Sequence, residues 1–399
     1  MIPRELAAKT KQLADQYPVV TITGPRQSGK TTLCRMVFPD KAYASLEDLD
    51  QREFARQDPR GFLNRFPNGA VIDEMQRVPE LLSYIQTIVD QKDREGFFIL
   101  TGSQQFELLE GIAQSLAGRT ALVRLLPFSC AEAYGGDQFK NIPIDQVLYT
   151  GFYPRIFDKS LNPTEAMSFY VNTYVERDLR TLINIRDLSQ FEIFLKLCAG
   201  RTGQILNFSN LGNDCGVNHK TVKSWLSVLE ASYIIKLLRP YYKSFNKRLI
   251  KAPKLYFLDT GLACFLLDIQ TASQLSGHPL RGALFESFIL AEMLKKRFNA
   301  IQTDNLFYFR DRVGHEVDII WDQSMQPIPM EIKAGQTVSQ DAFKGLTNFS
   351  KLAGSVDAAY LFYGGDESYT RQSVHVTSWR DVSKSICNLD QSVEPDRPR

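Results

Sequence analysis

The sequence predicts an α/β protein of several domains. A P-loop nucleotide-binding sheet comes first, then a winged helix, then a second α/β unit. Three observations carry this. A phosphate-loop pattern, Gly24-Pro25-Arg26-Gln27-Ser28-Gly29-Lys30-Thr31, stands between a β-branched run and a helix-forming run. A later apolar run, Gly69-Ala70-Val71-Ile72, ends in two carboxylates, Asp73 and Glu74. Towards the other terminus, Glu286, Asp318 and the tripeptide Glu331-Ile332-Lys333 fall on a predicted helix and two predicted strands. The 399 residues are too many for one ordinary core and enough for two or three.

Val19-Val20-Thr21-Ile22-Thr23 reads as a buried strand, and Thr32-Leu33-Cys34-Arg35-Met36-Val37 continues as a helix. Gly24 and Gly29 let the intervening chain curl so that backbone N–H groups point at an anion. The helix start at Gly29 adds its own unpaired N–H groups and a positive dipole end. The expected ATP cradle is thus Gly24, Pro25, Arg26, Gln27, Ser28, Gly29, Lys30, Thr31 and Thr32. Lys30 reaches the β- and γ-phosphates, and the Thr31 hydroxyl holds Mg²⁺. A glycine turn with a chance Lys-Thr is the plainer alternative, and the flanking strand and helix weigh against it.

Ala42 to Leu46 reads as a short strand and Glu47 to Gln57 as a polar helix. The strand before Asp73 and Glu74 delivers both acids to its C-terminal end, where open α/β sheets bind ligands. Asp73 is placed to hold Mg²⁺ and Glu74 to deprotonate an attacking water. Phe97 to Thr101 is another apolar strand, and it brings Thr101 or Ser103 towards the γ-phosphate. Arg119, just before the strand Thr120 to Leu126, is the first choice for a cation supplied to a neighbouring subunit's phosphates, ahead of Arg155, Arg177 and Arg180.

The loop GPRQSGKT, the strand VIDEMQ, the strand FILTGS and the run SLAGRTALVRLLPFS resemble the ATPase module of a bacterial and archaeal AAA-type family whose members carry a C-terminal DUF4143 domain. The resemblance covers nearly the whole chain. It implies the ASCE sheet order, with the sensor strand between the loop strand and the Asp-Glu strand. It also implies assembly, as a ring or dimer, in which an arginine acts in trans.

Residues 131–200 are expected to form a helical connector. Within it Thr164 to Ile185 reads as one long helix, with Phe169, Thr173, Leu179 and Ile183 facing inward. Residues 201–270 read as the winged helix-turn-helix. Asn218 caps a second helix that buries Val222, Trp225, Leu226 and Leu229 and leaves His219, Lys220 and Lys223 outside. Lys220 and Lys223, with Lys247 and Arg248 in the basic linking segment, are expected to contact DNA phosphates. A winged helix used only for packing is the rival.

Residues 271–390 hold the last unit. Gly282 to Arg297 reads as an amphipathic helix, and the runs Gly314 to Trp321 and Pro329 to Lys333 as a hairpin. Asp318, Glu331 and Glu286 would share a Mg²⁺ or Mn²⁺ ion, with Lys333 steadying a nucleophile or a charged transition state. Helix acid, strand Asp and Glu-x-Lys resemble the PD-(D/E)xK restriction-endonuclease core, although Val317 stands where a strict proline-aspartate pair would have proline.

The first expected domain ends near residue 130. A charge of only +2 confines any nucleic-acid surface to local patches, no apolar run reaches membrane-spanning length, and six scattered cysteines fit a reducing cytoplasm better than zinc or a disulfide scaffold. The expected function is Mg²⁺-dependent ATP hydrolysis coupled to DNA binding or processing, with a metal-dependent nuclease site. The alternative is a nucleotide-controlled switch that binds DNA or protein through an inactive nuclease-like domain. Phosphotransfer to a small molecule fits poorly, because Glu74 suits water activation and no acceptor site is evident.

Overall fold

The structure is a computed structural model and describes residues 2–103, 112, 114–135, 137–175, 188–241, 252–323, 326–354 and 356–391. The strands β1 (Val19–Thr23), β2 (Ala42–Ser45), β3 (Ala70–Asp73), β4 (Phe98–Gly102) and β5 (Thr120–Arg124) form a parallel sheet in the order β2-β3-β4-β1-β5. The strand β4 therefore lies between β1 and β3, the order that the resemblance implies. Side chains alternate across each strand, so Val20, Ile22, Val71 and Ile99 pack on one face with Leu6 and Leu33. Val19, Ile72, Phe98 and Leu100 pack on the other with Leu81 and Ile85. Burial on both faces accounts for the continuous apolar runs in the sequence.

All five strands point their C-terminal ends at one edge of the sheet. The phosphate loop follows β1 at that edge and leads into α2 (Lys30–Val37), whose N-cap is Gly29 at φ 92°. A glycine is required at position 24 for a different reason. A Cβ there would stand 2.1 Å from the Leu125 carbonyl oxygen, so the loop closes against the end of β5.

Within the described residues, the expected helix from Thr164 faces inward with other side chains than expected. It runs over Pro163–Tyr170 into one π turn, Val171–Val175. Met167, Tyr170 and Val171 are its buried residues, an i, i+3, i+4 face, while Phe169 and Thr173 are exposed. Leu179 and Ile183 lie outside the described residues.

In the middle of the chain, the helix Phe208–Cys215 turns at Gly216 into the helix His219–Ala231. Asn218 accepts hydrogen bonds from the Lys220 and Thr221 N–H groups, and the second helix buries Val222, Trp225, Leu226 and Leu229. The antiparallel pair β6 (Ile235–Pro240) and β7 (Lys254–Phe257) follows. The strand β6 then runs on beside β8 (Leu306–Arg310), which joins the pair to β9 (Glu316–Gln323), β10 (Gln326–Lys333), β11 (Ala359–Tyr363), β12 (Tyr369–Arg371) and β13 (Val374–Ser378). The result is one eight-stranded sheet, β12-β13-β11-β10-β9-β8-β6-β7.

The helix Arg281–Asn299 was expected to be amphipathic, and the structure buries it nearly all round. Glu292 and Lys295 on this helix are interior partners 2.8 Å apart. The Glu292 carboxylate also accepts the Cys130 N–H at 2.9 Å, and the Lys295 ammonium lies 3.8 Å from the centre of the Phe152 ring. The charged stripe is thus docked on the segment that follows β5, with each charge compensated.

Candidate functional site

The edge of the parallel sheet carries a cleft of about 920 Å³ lined by Gly29, Lys30, Thr31, Thr32, Glu74 and Arg155, among others. Within it the Lys30 ammonium donates to the carbonyls of Gly24 at 3.0 Å and Pro25 at 2.8 Å. Burial pushes its pKa down to about 8, against the pull of Glu74 and Asp73. A desolvated cation at the first turn of a helix is suited to a polyphosphate.

Asp73 ends β3 and is nearly buried. It accepts from the Thr31 hydroxyl at 2.8 Å, from the Tyr43 hydroxyl at 2.6 Å and from Thr101. Thr31 and Asp73 thus present a hydroxyl and a carboxylate side by side, an oxygen pair that fits a Mg²⁺ ion bound partly through water. Glu74 follows in the left-handed region at φ 59°, a conformation that turns its carboxylate across the strand ends. Ser103 donates to that carboxylate at 3.2 Å, Gln76 bonds to it as well, and Gln76 also donates to the Ser103 hydroxyl at 3.1 Å. The adjacency of β3 and β4 makes this contact. The structure therefore brings together Lys30, Thr31, Asp73, Glu74 and Ser103.

Three residues of this site were not legible in the sequence as parts of it. Arg4 is buried beneath the loop and donates to the Ser28 and Leu126 carbonyls at 2.7 Å each while pairing with Glu132. Tyr43 reaches Asp73 because β2 pairs with β3, with Ser45 opposite Asp73. Gln76 follows Glu74 by two residues and closes the run VIDEMQ, which by itself assigns it no role.

Arg119 lies at the other end of β5, where Thr120 pairs with Val19. Five residues of strand separate it from the loop, about 16 Å, and it is paired with Asp90 on the surface. It cannot reach phosphates held by its own chain. Arg155 lines the cleft itself. Arg177 and Arg180 lie outside the described residues.

A second cluster forms where β7, β9, β10 and the helix Arg281–Asn299 meet. Glu286, Asp318, Glu331 and Lys333 lie close together there. Two residues absent from the expected set, Lys254 and Tyr256 on one face of β7, complete the cluster. Lys333 Nζ lies 2.6 Å from Glu331 and 3.8 Å from Asp318. Lys254 is buried, pairs with Glu316 and stands 3.8 Å from Asp318. The Tyr256 hydroxyl donates to Glu286 at 3.0 Å, and the Ile332 N–H donates to Asp318 at 2.9 Å. Burial, then the nearby Asp318 charge, pushes Glu286 and Glu331 up to about 8. Lys254 and Lys333 bring two ammonium groups to the same cluster.

Glu331 Oε2 has no hydrogen-bond partner, yet among the described residues no three His, Cys, Asp or Glu side chains are grouped to hold a metal ion. Two ammonium groups, those of Lys254 and Lys333, are set against Asp318 at 3.8 Å each.

On the middle helix pair, Lys220 and Lys223 are exposed, on the side away from the buried Val222 and Leu226. Lys247 and Arg248 lie outside the described residues. Among the described residues no helix is long and apolar enough to cross a membrane.

Comparison with known proteins bears on all of this. The family model for an AAA domain matches residues 16–134, a domain of unknown function, DUF8612, matches 143–273, and another, DUF4143, matches 281–382. The uncharacterized protein Rv2008c of Mycobacterium tuberculosis is 30% identical over 342 residues, covering 84% of this chain and 75% of its own length. The uncharacterized protein Mb2031c of Mycobacterium bovis matches to the same extent. Among solved structures, the Walker-type ATPase PABY2304 of Pyrococcus abyssi gives a TM-score of 0.46 at 15% identity, over 67% of this chain and 96% of that one. The RuvB Holliday junction branch migration motor of Thermotoga maritima gives 0.32 at 18% identity, over 59% and 90%. The strand order, the phosphate loop and the domain matches agree, and the chain belongs to the family of AAA-type P-loop ATPases with a C-terminal DUF4143 domain.

Proposed function

We propose that this protein hydrolyses ATP with Mg²⁺ and couples turnover to DNA binding or processing in the cytoplasm. One observation carries the ATPase reading. Glu74 is fixed by Ser103 and Gln76 beside the Thr31–Asp73 pair, at the mouth of a loop that holds Lys30. Lys30 and the loop N–H groups bind the phosphates. Thr31 and Asp73 hold the ion, which neutralises phosphate charge when bound. Glu74 accepts the proton of the attacking water, and Ser103 keeps its carboxylate aimed there. Arg155 supplies a cation within the chain, and Arg119 supplies one to a neighbouring copy in a dimer or ring.

The DNA reading rests on Lys220 and Lys223, exposed on the second helix of a helix-turn-helix with a two-stranded wing, to which Lys247 and Arg248 add charge. The C-terminal unit is read as a PD-(D/E)xK-like domain built on Glu286, Asp318, Glu331 and Lys333. The lysines set against Asp318 favour a second reading for that unit, in which it binds DNA or protein without cutting and the ATPase acts as a switch.

ATP turnover and DNA integrity, followed over single-stranded, duplex and branched DNA, test the proposal. DNA-stimulated hydrolysis that Lys30→Ala abolishes supports coupling. Slow turnover indifferent to every DNA form, with ADP retained, supports the switch. Metal-dependent nicking would restore the nuclease.

A further inference from the structure

A cavity of about 690 Å³ opens between the parallel sheet and the eight-stranded sheet, and it shares no lining residue with the nucleotide cleft. Tyr233 lines it, held at φ 57° and only 8% exposed. Its hydroxyl is buried beside Thr23 and has no partner at hydrogen-bonding distance and angle. Buried hydroxyls without a partner are rare, and a bound acceptor relieves the deficit.

Two guanidinium groups share the cavity. Arg124 ends β5 and lies 5.1 Å from the centre of the Phe298 ring, and Arg239 lies on β6. Neither has a carboxylate partner among the described residues. The cavity's carboxylates, Glu230 and Asp304, are both engaged by Lys236. With three cations against two carboxylates the lining is net positive by one, and its free donors are two guanidinium forks and one hydroxyl. A phosphate group, with more acceptor oxygens than a carboxylate, suits that set.

The position matters as much as the chemistry. Arg124 pairs with Thr23, the residue before the phosphate loop. The Leu125 N–H donates to the Thr23 carbonyl at 2.8 Å, and the Leu125 carbonyl packs against Gly24 so closely that no side chain fits there.

We propose that this cavity binds a phosphate group, from a nucleic-acid backbone or as a free ion, through Arg124, Arg239 and Tyr233. Occupancy is transmitted to the nucleotide loop through Leu125 and Gly24. The site is separate from Lys220 and Lys223, and its binding test needs no ATP turnover.

The test uses the full chain in the Lys30→Ala background, which removes the nucleotide loop as a competing phosphate site. Fluorescein-labelled oligothymidylate is titrated by anisotropy over a salt series, and inorganic phosphate is titrated by calorimetry. If the phosphate comes from nucleic acid, Arg124→Gln/Arg239→Gln lowers the salt slope by about 1.4, at roughly 0.7 per lost single-strand contact. If it is a free ion, oligothymidylate binding is unchanged and phosphate binding is lost. Unchanged binding of both probes overturns the proposal. Tyr233→Phe removes only an unbonded hydroxyl, so its melting temperature should hold while affinity falls several-fold; parent affinity in that variant overturns the role of Tyr233. Loss of oligothymidylate binding in Lys220→Ala/Lys223→Ala, but not in the arginine variant, would uphold the helix reading and sink this one for nucleic acid. With Lys30 intact, saturating probe should shift the affinity for a fluorescent ATP analogue, and Arg124→Gln/Arg239→Gln should abolish the shift. An equal shift in both proteins overturns the transmission.

Discussion

Glu292→Leu should destabilise the protein far more than a surface change on a helix would. The carboxylate is fully buried, pairs with Lys295 at 2.8 Å and accepts the Cys130 N–H at 2.9 Å. Removing it strands a buried ammonium, which costs about 3–5 kcal/mol. At roughly 2–4 °C per kcal/mol for a unit of 150–250 residues, the melting temperature should drop by roughly 6–20 °C. The double variant Glu292→Leu/Lys295→Met should recover much of that loss, because no buried charge is left alone. Its residual deficit should be about 1–3 kcal/mol for the orphaned Cys130 N–H. Thermal unfolding followed by circular dichroism reads both proteins. A double variant less stable than Glu292→Leu, or a single variant within 1 °C or so of the parent, on the same scale, would refute the claim that this pair is interior and mutually compensating.

Two further outcomes follow from the sites. Lys220→Ala/Lys223→Ala should weaken duplex DNA binding and lower its salt slope by roughly 1.8, at about 0.9 per phosphate contact, with DNA-independent ATP hydrolysis unchanged; the parent slope would reduce this helix pair to a packing element. In the Lys30→Ala background, calorimetry with millimolar Mn²⁺ should detect no site that Asp318→Ala removes, because Lys254 and Lys333 already compensate the carboxylate; a stoichiometric site lost in Asp318→Ala would restore the metal-dependent reading.

The nucleotide half of the molecule was legible because its signals are local. The loop glycines, Lys30 and Thr31 lie within eight residues, and Asp73 and Glu74 end one strand. The capped helix at Asn218 was legible for the same reason, since a cap and an i, i+3, i+4 face are short-range patterns. What was missed depends on pairings between distant segments. Arg4 reaches Ser28 in the loop from more than twenty residues before it, Tyr43 needs the β2–β3 register, and Lys254 needs β7 to arrive beside β9. Lys254 adds a buried cation beside Asp318, and no local pattern in the sequence announces it. The helix Arg281–Asn299 misled for a related reason. The burial of Glu292 and Lys295 depends on the partner surface at Cys130 and Phe152.

Glu74→Gln tests the central claim most directly. The amide keeps the shape beside Ser103 and loses the base, so Mg²⁺–ATP should bind with near-parent affinity while single-turnover hydrolysis falls by about 10²–10⁴. Hydrolysis at the parent rate in that variant would contradict the account, because the proton of the attacking water would then be taken by another group.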